Sequence, residues 1–186
     1  DRRRPRRQLG RVSADGVTVS IEAQLAVMAR LQSALNDNVH AQWRSQGHPY
    51  YRAVWVECAE LLDHYGWKWW KHQATDAEQV KLEIVDIWHF GLSELIRAGA
   101  IDGDHVDIDV ARAFTERLGS RTSGDFRAAV EALAAQSLAT RTFPVATFVD
   151  VMTALPMGFA ELYRTYVGKN VLNHFFAFTL NWGSQG

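Results

Sequence analysis

The chain has 186 residues, 47% of them apolar and 22% charged, which is enough apolar chain for one substantial core and too much for a disordered protein. The formal charge of −1 is uneven, because six arginines against one aspartate make the first eleven residues +5 and leave −6 for the rest. An acidic body argues against nucleic acid as its main ligand, and charges interrupt every apolar stretch well before the roughly 20 residues of a membrane span.

The expectation is a soluble, cytoplasmic protein with a basic, flexible tail over 1–17 ahead of a single domain over 18–186. Cys58 is the only cysteine, so no intrachain disulfide forms, and a reducing compartment is the simpler setting. Its place between Glu57 and Glu60 in a helical pattern suits packing rather than reactivity.

From Ile21 the apolar positions Leu25, Met28, Leu31 and Leu35 recur at helical spacing behind Thr18 and Ser20 as caps. A polar segment from Asn36 to Pro49 separates this helix from a second over Tyr50 to Tyr65, which Gly66 stops. Thr75-Asp76-Ala77-Glu78 has the form of a capping box and opens a third helix, carried by Val80, Ile84, Ile87, Trp88, Leu92 and Leu95 to Gly99.

Asp102, Asp104, Asp107 and Asp109 resemble a calcium loop only superficially. Gly103 and the missing terminal glutamate are out of register, so these aspartates read as loop and cap residues. Shorter helices follow over Ala111 to Leu118 and Phe126 to Gln136, another starts at Pro144, and a long one runs from about Pro156 to Phe176. No convincing strand or internal repeat is present. The class is all-α, a helical bundle, with a more mobile helical subdomain at about 100–155 inserted before the last helix.

Two carboxylate pairs carry the chemistry: Glu57 and Glu60 in E-x-x-E on the second helix, and Glu83 and Asp86 in E-x-x-D on the third. Each pair shares a helix face, and Val54, Leu61, Val80, Ile84, Ile87 and Phe90 surround them, so all four acids are expected to point toward a core. Carboxylates held there repel one another and lose hydration. A hard divalent ion such as Mg²⁺ relieves both costs and keeps coordination positions for phosphates.

Two other readings stand beside this one. The acids can be a solvated face paired with Arg52, Lys68, Lys71 or Lys81. Alternatively, Asp86-x-x-His89 is half of a di-iron motif, although Glu60 has its histidine, His64, at i+4 instead of i+3.

Five ordered blocks carry a more specific signal: Leu31-Gln32 with Leu35-Asn36; Glu57-Cys58-Ala59-Glu60-Leu61-Leu62-Asp63; Trp67-Lys68-Trp69-Trp70-Lys71; Glu83-Ile84-Val85-Asp86-Ile87-Trp88-His89-Phe90; and Tyr166 to Phe175. Together they resemble the dimeric all-α dUTPases of the MazG-like pyrophosphatase group. The resemblance implies a homodimer that hydrolyses dUTP to dUMP and pyrophosphate. Glu57, Glu60, Glu83 and Asp86 would hold magnesium, and Glu57 or Glu60 would activate the attacking water.

It further implies a base pocket of Gln32, Asn36 and Trp70, Phe90 packed on base or sugar, and phosphate or sugar contacts from Lys68, Tyr166, Lys169 and Asn173. An amide both donates and accepts, as a uracil edge requires, and an aromatic face stacks on any base. Taken without the resemblance, Gln32 and Asn36 are equally read as polar positions near a helix end, and the tryptophans as packing. A relative that hydrolyses dCTP or another nucleotide, and a non-catalytic helical interaction protein, are the alternatives. The chain departs from the family in its last block, where Phe176 stands in place of an expected phosphate-gripping arginine.

Overall fold

The computed structural model describes residues 19–119 and 124–183, with side chains through Asn173. The basic tail and the side chain of Phe176 lie outside what is described. Seven α-helices form among the described residues: α1 (Ile21–Val39), α2 (Tyr50–Tyr65), α3 (Ala77–Arg97), α4 (Ile108–Gly119), α5 (Phe126–Thr140), α6 (Val145–Ala154) and α7 (Phe159–Gly183). No strand forms among these residues, only an isolated Ile101–Val106 bridge, and the molecule is the all-α bundle expected.

Local chemistry explains most of the helix ends. Ser20 caps α1 by accepting from the Ala23 amide. Gly66 ends α2 at φ 96°, where a side chain would be strained. The α3 cap differs from the capping box predicted at Thr75. Asp76 accepts from the Gln79 amide at 3.1 Å, while the Thr75 hydroxyl reaches back to the Tyr65 carbonyl at 2.8 Å and ties the end of α2 to the start of α3.

α4 begins three residues earlier than its apolar pattern, since Asp107 accepts from the Asp109 amide. Likewise Asp102 accepts from the amides of Asp104 and His105, the loop role expected of these aspartates. α7 starts at Phe159 rather than Pro156, because the Met157 amide closes back on Met152 and the first helical bonds accept at Gly158.

α3 is the central helix. α2 folds back against it, α1 and α7 pack on each other and on it, α5 covers the other side of α2, and α4 and α6 pair beyond. Its second half is buried on nearly every side. Trp88 stacks on Phe148 at 5.3 Å and meets Phe114 edge-on at 5.5 Å, so α4 and α6 share one core with α3. Gly91 lets the Phe143 ring lie directly on the α3 backbone, in space that a Cβ would occupy. No single helix among the described residues is long and apolar enough to cross a membrane.

Candidate active site

The carboxylates meet where α2 and α3 face each other. Oxygens of Glu57, Glu60 and Glu83 lie within 4.8 Å of one another. Glu83 is buried, Glu57 half-buried and Glu60 exposed, which corrects the expectation that all four acids point inward. Three residues of helix turn through about 300°, so Glu60 sits about 60° further than Glu57 from the buried stripe of Val54, Cys58 and Leu61.

Glu83 accepts from Gln79 Nε2 at 2.6 Å and faces His64 Nε2 at 3.6 Å. Burial, with the charges of Asp86, Glu60 and Glu83 and a hydrogen bond to Glu83, pushes the Glu57 carboxyl up to about 7. No lysine or arginine among the described residues pairs with these three glutamates. Lys68 is held by Asp63 at 3.1 Å and Lys81 by Glu161 at 2.7 Å. An all-oxygen donor set crowded enough to share a proton fits a hard divalent cation.

Asp86 differs from the three glutamates in being ion-paired with Lys169 of α7. Desolvation raises its carboxyl while that ammonium opposes the rise. Asp86 also lines a cavity of about 410 Å³ that runs between α1 and α3, with Gln32, Asn36, Phe90 and Asn173 on its walls. His89 and Ser93 line it as well. His89 turns toward Gln32 rather than the carboxylates, Nδ1 lying 2.8 Å from Gln32 Oε1, so Asp86-x-x-His89 does not act as a di-iron half-motif. Cys58 is buried and its thiol is pushed up to about 12, which leaves it packed and unreactive.

A cavity walled by amides and an aromatic ring, with the acid Asp86 on its wall, suits a nucleotide with its phosphates at the carboxylate end. The family model for dUTPase matches residues 24–177. The chain belongs to this dUTPase family. The match runs from within α1 to within α7 and so takes in every helix that builds the site. No curated protein matches the chain. The family makes the chain an enzyme that acts on dUTP.

In this dUTPase fold the remaining residues inferred from the sequence divide into groups. Gln32, Asn36, Asp86, Phe90 and Asn173 come together around the cavity. Tyr166 is fully buried behind it, its hydroxyl 2.8 Å from Gln32 Oε1. Lys68 and Trp70 lie on the connection between α2 and α3 and do not line it. Trp70 packs edge-on against Trp67 and Trp69 with much of its ring exposed.

Gln73 shapes that connection by accepting from the Trp67 and Lys68 amides at 3.0 and 2.7 Å. His89 and Ser93 are wall residues that sequence reasoning missed. Their signal was the helical spacing that puts 86, 89, 90 and 93 on one side of α3.

Proposed function

We propose that the chain hydrolyses dUTP to dUMP and pyrophosphate in a magnesium-dependent reaction. The observation that carries the reading is the position of Asp86, which lines the cavity of Gln32 and Asn36 and interacts electrostatically with Glu57, Glu60 and Glu83. Base recognition and phosphate chemistry are thereby adjacent.

Glu57, Glu60, Glu83 and Asp86 would hold magnesium, which supplies charge for the phosphate oxygens when bound. Glu60, on the solvent side of the cluster, takes the proton of the attacking water. That water's oxygen bonds to the α-phosphorus, the bond to the bridging oxygen breaks, and pyrophosphate leaves. Lys169, poised on Asp86, and Lys68 meet the phosphates, while Asn173 contacts the sugar and Phe90 packs on base or sugar.

The exposed rings of Trp67, Trp69 and Trp70 form an apolar patch that a second copy can cover, which supports a homodimer with Trp70 turned toward a base. Light scattering on the purified chain tests the dimer, and fractionation tests the cytoplasmic location that goes with it. The deciding experiment is pyrophosphate release from a panel of dUTP, dCTP, dTTP and the ribonucleotides, with magnesium or with chelator. Release from dUTP in magnesium alone supports the reading. Preference for dCTP would move the assignment to a related pyrophosphatase, and no release from any nucleotide would refute it.

A further inference from the structure

The cavity wall contains a closed chain of hydrogen bonds. Tyr166 OH donates to Gln32 Oε1 at 2.8 Å and also lies 3.2 Å from the Met28 carbonyl. Gln32 Nε2 donates to Asn36 Oδ1 at 2.9 Å, Asn36 Nδ2 donates to Ser93 Oγ at 2.9 Å, and Ser93 donates to the His89 carbonyl at 2.9 Å. His89 Nδ1 closes the chain at 2.8 Å from Gln32 Oε1.

An amide side chain can be turned end for end with little change of shape, so its partners decide which end carries the oxygen. His89 decides for Gln32. The ring is 7% exposed, and its Nε2 has no hydrogen-bond partner among the described residues. A neutral imidazole carries one proton. On Nε2 that proton would make a buried donor without an acceptor, whereas on Nδ1 it bonds Gln32 Oε1. With the oxygen of Gln32 held there and by Tyr166, its NH₂ must face Asn36, and Asn36 in turn must offer its oxygen to Gln32 and its NH₂ to Ser93.

The hydrogen-bonding capacity left over by this amide pair is one N–H of Gln32, the second lone pair of Asn36 Oδ1 and one N–H of Asn36, in the order donor, acceptor, donor. Uracil presents O4, N3–H and O2, the complementary order of acceptor, donor, acceptor. Cytosine presents a donor at N4 and an acceptor at N3, so two of the three contacts clash. Turned end for end, the same two amides would present acceptor, donor, acceptor and make none of the three uracil contacts.

We propose that Tyr166 and His89 are specificity-positioning residues, which act through Gln32 to hold the two amides in the orientation that selects uracil over cytosine. The inference rests on the cavity being the base pocket of the proposed function.

The test measures kcat/KM for dUTP and dCTP with the full chain in magnesium. Tyr166→Phe and His89→Leu each remove one donor to Gln32 Oε1, and each is expected to lower the dUTP-to-dCTP ratio by roughly five- to tenfold, the worth of one net hydrogen bond. His89→Asn replaces Nδ1–H with an amide N–H at a similar position and is expected to restore the ratio to within about twofold. A merely structural role would lower both rates together and leave the ratio alone.

If the folded variants keep the wild-type ratio while Asn36→Ala loses it, the inference is overturned and the functional reading stands. A wild-type chain that hydrolyses neither nucleotide overturns both. Independently of any variant's folding, ¹⁵N NMR of the wild-type ring reads the tautomer directly. Protonated Nδ1 with bare Nε2 is the expected result, and a proton on Nε2 overturns the inference.

Discussion

Glu57→Gln in metal-free protein tests the carboxylate cluster without reference to catalysis. The Glu57 carboxyl stands at about 7 against an ordinary 4.5, first through burial and then through its acidic neighbours. A folded-state pKa raised above the unfolded value means the folded protein binds the proton more tightly. Stability is therefore lost as pH rises from about 4.5 to about 7, and the full cost is present above that.

The whole shift corresponds to about 3.4 kcal/mol at 1.36 kcal/mol per unit. Because Glu57 is only half-buried, solvent screening reduces this to about 1–1.5 kcal/mol. Glutamine keeps the shape and the donor of the protonated acid and removes the charge. In urea denaturation with chelator, Glu57→Gln is expected to match wild type at pH 4.5–5 and to exceed it by about 1–1.5 kcal/mol at pH 8. Saturating magnesium is expected to reverse the order at pH 8, since the ligand stabilises only a chain with its donors intact. Equal effects of the substitution at both pH values, or no change of order with magnesium, would refute the cluster as described.

Three further outcomes follow from the same geometry. Glu60→Gln is expected to keep the melting temperature, since Glu60 is exposed, and to slow pyrophosphate release on the order of 10²–10⁴-fold; activity within a few-fold of wild type would remove Glu60 from its role. Asn36→Ala is expected to reduce the preference for dUTP over dCTP while leaving magnesium-dependent thermal stabilisation in place, measured by kinetics and thermal shift on the same preparation. Gly91→Ala puts a methyl group into the Phe143 ring and is expected to destabilise the fold by about 1–3 kcal/mol in urea, a cost that Phe143→Leu in the same chain should partly relieve.

Local elements were legible wherever one residue decides one end. Ser20, Gly66 and Pro144 mark boundaries through their own side-chain or backbone chemistry, and the apolar period of α3 needs no partner to be read. Thr75 was misleading because it and Asp76 are both competent caps. The choice went to Asp76 once the Thr75 hydroxyl had the Tyr65 carbonyl, ten residues earlier, to bond.

The acids were visible as two pairs at i, i+3, and their membership of the dUTPase family was visible in the blocks around them. Spacing alone placed each pair on one helix face but gave neither the meeting of the two pairs nor the depth of each carboxylate. That depth depends on where the buried stripe lies on the helix, which is set by what packs against it. Glu60 therefore emerged at the surface, and Asp86 was drawn to Lys169, 83 residues away.

The sequence by itself determined the helical class, the paired carboxylates and the amides Gln32 and Asn36, because helix periodicity and side-chain chemistry are local properties. Only the tertiary structure decided which way those amides face. Their orientation is set by Ser93 and His89, 57 residues from their amide partners, and by Tyr166, 134 residues from Gln32, brought together by the packing of α1, α3 and α7 around one core.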